Sequence, residues 1–154
     1  KLLSSIRSGV VTKTLFTVND LFKYGHDQLN SFYPQILIDL ITKFALTTQK
    51  FVSERIEQVI EQILPNLKPE NQSKFIQWAI ENISTKHVQL KYIIAHIIST
   101  TDLNLSNDEI LVFVQLYQDS DQKVRKEARN IYQKHKNEIG VNSQIDEIIL
   151  REGE

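Results

Sequence analysis

Apolar residues recur at spacings of three and four along almost the whole chain, while the strict alternation of a half-buried strand is scarce. Such spacing places them on one face of a helix, so the pattern calls for an all-α fold. Breakers are few, with four glycines and three prolines among 154 residues. Gly25, Pro65, Pro69 and Gly140 fall between the periodic segments, where they can end helices without interrupting one.

The segments left by this punctuation have a usual helix length of roughly 14 to 20 residues. SIRSGVVTKTLFTVNDLFKYG runs to Gly25, and SFYPQILIDLITKFAL follows with Pro34 in its first turn, where a missing N–H costs least. QKFVSERIEQVIEQIL puts Phe51, Val52, Ile56, Val59, Ile60 and Ile63 on one stripe and stops at Pro65. NQSKFIQWAIENI and KHVQLKYIIAHIIS are each apolar on one face. Ser106 and Glu109 have capping-box spacing at the start of the next helix, and a long helix runs from about Ser120 to Ile139. Ser143 with Asp146 suggests a looser cap for a short helix carrying Ile145, Ile148 and Ile149. The expectation is about seven to eight helices, with residues 1–140 forming the helical domain and 141–154 a short C-terminal helix or tail.

No apolar run approaches the roughly 18 residues of a membrane span, and KLLSSIRSGV lacks the long apolar centre of a secretion signal. No membrane partner is expected. The absence of cysteine excludes disulfides and thiolate metal sites and fits a cytoplasmic home. A start at Lys1 rather than methionine suggests an internal piece of a longer protein or a processed product.

A valine near the start of every second helix gives Val10, Val52, Val88 and Val124, spaced by 42, 36 and 36 residues, with Ile6 as an alternative first anchor. A period near 40 with two helices per unit is that of HEAT-type solenoids, which stack antiparallel helix pairs. Each pair leaves an apolar face bare until its neighbour covers it. That burial contributes about 25 cal/mol for each Å² of apolar surface.

Charge is distributed unevenly along this array. DSDQKVRKEARNIYQKHK, residues 119–136, holds six Lys or Arg against three Asp or Glu in a chain of net charge -1. Within it, Val124 and Ala128 stack one turn apart, and Arg125 is expected to pair with Asp121 or with a carboxylate of the adjacent repeat. The turns SSIRSG, TTQKFV, STKHVQ and SDQKVR each bring a basic residue to a helix start: Arg7, Lys50, Lys86 and Lys123. Equivalent turns of a stack lie side by side, about 10 Å apart. Together they would form a basic edge. Cations there oppose the helix dipole at a cost of a few tenths of a kcal/mol each, so local stability does not explain them. The alternative is ordinary placement of lysines on solvated loops.

Such an edge suits an acidic protein surface better than nucleic acid, because the whole chain is slightly acidic and its basic turns lack interleaved exposed aromatics. Catalysis has no support, since HExxH, Gly-rich phosphate loops and GxSxG are all missing, and a non-enzymatic role is expected. His96 lies among isoleucines as a core or groove residue, His26 sits in a turn, and His87 and His135 lie beside lysines on solvated faces. No histidine pair has helical metal-ligand spacing on one stripe, so neither metal nor cofactor is expected. Glu54, Glu57 and Glu61 read as a solvated face, and Trp78 as a core residue.

The order SIRSGVVTKTLFTVNDLF, FYPQILIDLI, TQKFVSERIEQVIEQI and QDSDQKVRKEARNIYQKH resembles the later part of a TOG domain, most like the CLASP and ciliary TOG-array branch. The likeness reaches about Gly140 and includes the Asp-x-Asp-x-x-Val-Arg-x-x-Ala-Arg run from Asp119 to Arg129. It implies a paddle of HEAT-like repeats that binds tubulin or the microtubule lattice through turns along one edge. The implied contacts are Arg7, Lys50, Lys86, Lys123 and Lys126. The implied setting is the cytoplasm and cytoskeleton or the cilium and its axoneme, with other cytoskeletal proteins as further partners. Two departures stand out: the first repeat and a half, with the family's aromatic turn contact, is absent from this sequence, and Ser53 and Gln89 stand where arginine is common after the valine. The competing expectation is a HEAT-repeat scaffold that binds another protein through its helical groove.

Overall fold

The computed structural model describes residues 13, 15–18, 20, 23 and 27–139, and among these every regular element is helical. Arg7, the Val10 and Ile6 anchors, the Gly25 and Gly140 stops, His26 and the short helix expected after Ser143 lie outside the described residues. The chain divides into two compact units, Lys1–Leu103 and Asn104–Glu154.

In the first unit a 3₁₀ turn, Asp27–Phe32, leads directly into α1, Tyr33–Leu46. Helix α2 spans Lys50–Ile63 and runs into a second 3₁₀ turn, Leu64–Asn66; α3 spans Pro69–Asn82 and α4 Val88–Thr100. Helix α1 is the centre of the unit. It packs against α2, α3 and α4, and its Leu37, Leu40 and Ile41 are shut off from solvent. The helices packed on it bury Val52, Ile56, Val59, Ile60 and Ile63 on α2, Phe75, Ile76 and Ala79 on α3, and Ile93, Ile94, Ile97 and Ile98 on α4.

Polar contacts fix the helix directions. Residues 47–49 alone join α1 to α2, which makes the two antiparallel neighbours. Asn30, just before α1, accepts hydrogen bonds from the Asn71 side chain and, at 3.4 Å, from the Lys68 N–H, so α1 and α3 begin at the same end. The contacts of Glu57 with His96 and of Glu61 with Thr100 both join residues 39 apart, so α2 and α4 run parallel with their turns level. The first unit is therefore two antiparallel pairs stacked like against like, the HEAT-type arrangement expected from the sequence. Gln72 closes the α2–α3 corner, donating to the Leu64 and Pro65 carbonyls at 3.1 and 3.0 Å, the first of which also accepts from the Leu67 N–H of the 3₁₀ turn.

In the second unit α5, Asn107–Val114, continues into a 3₁₀ turn, Gln115–Gln118, and packs against α6, Gln122–Ile139. The expected capping box forms: the Glu109 N–H donates to Ser106 Oγ at 3.2 Å, and the Ser106 N–H donates to Glu109 Oε1 at 2.8 Å. Helix α6 buries Val124, Ala128, Ile131, Tyr132 and His135.

Four expectations need correction. Pro69 does not separate helices but opens α3, where its fixed φ suits the first helical position. Phe51 is 53% exposed and leaves the buried stripe of α2, its ring covered instead by the Arg55 guanidinium at 5.3 Å. His135 is buried, because it continues the row of Val124, Ala128 and Ile131 at helical spacing.

Val88 is 44% exposed and does not anchor its repeat. Helix α4 starts at Val88 itself, whereas α2 and α6 start two residues before their valines. The turns preceding these helices share one hydrogen bond, from an N–H to a side-chain oxygen two residues back: Gln49 to Thr47, His87 to Thr85 and Asp121 to Asp119. Aligned on these turns, Leu90 is the counterpart of Val52 and Val124, and Lys91 rather than Gln89 is the counterpart of Arg125.

Shortening the two valines separates the alignments. Val124→Ala removes apolar volume from a closed site and is expected to cost about 2 kcal/mol in urea denaturation. Val88→Ala is expected to stay within about 0.5 kcal/mol, as at an ordinary surface position.

Candidate functional site

The starts of α2 and α4 lie at the same end of the first unit because the two helices are parallel and level. That end carries Lys50, the first residue of α2, with its side chain 88% exposed, and Lys86, exposed just ahead of the α4 cap. Lys50 lies 3.8 Å from Glu54 one turn on, a loose solvent-exposed pair that contributes little to stability. Phe51, next to Lys50, and Val88, two residues after Lys86, are both exposed. The surface is therefore mixed basic and apolar, a feature the charge pattern alone does not reveal.

Relative to the shared turn hydrogen bond, the three lysines are not at equivalent positions. Lys86 precedes the cap residue, Lys50 is the first helical residue and Lys123 the second. Lys123 and Lys126 belong to the second unit, and both are exposed on the first turns of α6. Their helix start is firmly built. Asp121 Oδ1 accepts from the N–H groups of Lys123 and Val124 at 2.9 and 3.1 Å, which places a carboxylate at the positive end of the helix dipole.

Arg125 departs from the expected ion pair. Its Nη1 donates to the backbone carbonyls of Asp119 and Ser120, each at 2.8 Å, while the Asp121 carboxylate is occupied with the cap. The guanidinium thus ties the turn to the first coils of α6 and serves the fold. His87 caps α4 in a similar way, its Nδ1 accepting from the Leu90 N–H at 3.2 Å. Trp78 is only part-buried on α3, with its ring 5.8 Å from that of Phe75.

A second cluster in the first unit was not assembled from the sequence. Glu57 and Glu61, one turn apart on α2, converge with His96 of α4, and one ligand atom from each lies within 4.8 Å of the others. All three are half-buried, with His96 and Glu57 side chains 24% and 26% exposed. Glu54 remains on the solvated face, but Glu57 and Glu61 do not, because α4 packs along that flank of α2. Nε2 of His96 is hydrogen-bonded to Glu57 Oε1, and the Tyr92 ring stacks on the imidazole at 5.7 Å. The Thr100 hydroxyl reaches Glu61 Oε1 at 3.4 Å, a long contact that leaves the carboxylate with acceptor capacity to spare. His96 is accordingly a groove-rim residue. The available signal was a four-residue Glu spacing on one helix and a four-residue His–Thr spacing on another, but nothing within either helix shows that the two face each other.

Replacing Asp121 by alanine removes two backbone hydrogen bonds and the favourable dipole interaction at the α6 start. It is expected to lower stability by about 1 kcal/mol, measured by urea denaturation. No helix among the described residues is long and apolar enough to cross a membrane. Comparison of the chain with protein-family models, curated proteins and solved structures finds no match.

Proposed function

We propose that this chain is a non-enzymatic protein-binding module that engages tubulin or the microtubule lattice through its basic helix-start edge, with a cytoskeletal or ciliary setting. The observation that carries the reading is the level, parallel packing of α2 and α4, which brings Lys50 and Lys86 to one end of a rigid helical unit. Lys123 and Lys126 extend the set by sequence position, as does Arg7 at the first turn of the array.

The chemistry favours an acidic protein partner over nucleic acid. Against the expectation that the basic turns lack exposed aromatics, Phe51 stands exposed beside Lys50, and Val88 is exposed two residues after Lys86; an interface that combines such apolar contact with positive potential gains area burial as well as steering. Few phosphates could be met by so small a number of cations. Each exposed ion pair contributes about 0.2 to 1 kcal/mol, so binding is the sum of several weak contacts on a preformed surface and is screened by salt.

The combined Lys50→Glu and Lys86→Glu variant is expected to lose most co-sedimentation with microtubules while keeping the helical CD spectrum. Unchanged sedimentation would sink the proposal. A protein partner whose capture survives the lysine variant but fails when groove residues on the helices are altered would favour the groove-binding scaffold instead.

A further inference from the structure

We infer that Glu57, Glu61 and His96 form a divalent transition-metal site, of the kind occupied by Zn²⁺, that ties α2 to α4. Three observations converge on it. The donor atoms already lie within 4.8 Å of one another, so small side-chain adjustments suffice to bring them to the about 2.0–2.2 Å ligand distances of a tetrahedral Zn²⁺. The donors come from the facing flanks of two packed helices, whose adjacent residues Ile56, Ile60 and Ile97 are buried, so the backbone that carries them is held in place. The Tyr92 ring stacks on the imidazole face, with centroids 5.7 Å apart, and restricts the ring's rotation.

The charges also call for a cation. Two carboxylates held this close repel each other, and a histidine offers one positive charge at most and only when protonated. A divalent ion satisfies both carboxylates at once. On binding, Nε2 of His96 exchanges its hydrogen bond with Glu57 for the metal, and the ring's remaining proton resides on Nδ1. One nitrogen and two oxygen donors suit Zn²⁺ or Co²⁺, whereas Mg²⁺ and Ca²⁺ take oxygen ligands. With three protein ligands, a fourth position stays open to water.

The site is independent of the tubulin reading and is tested with the metal alone. Titration calorimetry of the purified chain with Zn²⁺ is expected to show one ion per chain and a rise in Tm, and Co²⁺ is expected to give a visible d–d band. His96→Ala and Glu61→Gln should each weaken Zn²⁺ binding roughly tenfold or more and abolish the Co²⁺ band. His87→Ala, at an exposed position, should change neither. Glu61→Gln preserves shape, so it remains informative should His96→Ala fold poorly. Absence of Zn²⁺ binding in the folded wild-type chain, equal affinity in Glu61→Gln, or Ca²⁺ raising Tm as well as Zn²⁺ does would each overturn the assignment.

Discussion

Burial of α1 on three sides is the constraint on which the first unit depends. Leu37, Leu40 and Ile41 have no solvent exposure, and α2, α3 and α4 all pack against that central element. The composition of α1 suits the role, because apolar residues cover more of its circumference than those of the flanking helices α2 and α3 do. Apolar burial is non-directional, however, and rows of isoleucine tolerate sliding past one another more readily than polar groups tolerate losing partners.

Direction and register come from a small set of polar contacts at the margins of that core. Asn30 joins the starts of α1 and α3, Gln72 closes the α2–α3 corner, and the two contacts between α2 and α4 repeat at the same offset of 39 residues. The turns before α2, α4 and α6 add a repeated backbone device, with threonine or aspartate receiving the N–H two residues on. Because the side-chain oxygen holds the cap residue, these turns set where each helix begins. The lysines then inherit their positions from the turn chemistry.

The fold class was legible because a period near 3.6 survives in any local window. The Ser106–Glu109 box and the buried pair Val124 and Ala128 were equally local. The repeat anchor, by contrast, depends on where each helix starts in space. Val88 looked like Val52 and Val124 by spacing from its neighbours, yet the Thr85 turn starts α4 two residues later relative to that valine. His135 was assigned to solvent from its lysine neighbours, although its distance from Val124, Ala128 and Ile131 already placed it on their row. The Glu57–Glu61–His96 cluster lay beyond sequence pattern altogether, since residues from separate helices meet only where α4 packs against α2.

The polar rim of the α2–α4 interface links packing to presentation. If α4 slid by one turn, Ile93 and Ile97 would still meet apolar surface, but His96 would move off Glu57, leaving two half-buried polar groups to find other partners. The same slide would stagger the helix starts by about 5.4 Å, the rise of one turn. Contacts that penalise such slippage therefore keep the ends of α2 and α4 level, and with them the spacing of Lys50, Phe51, Lys86 and Val88. A rigid partner that meets this end of the unit encounters a preformed pattern and bears little of the entropy of assembling it.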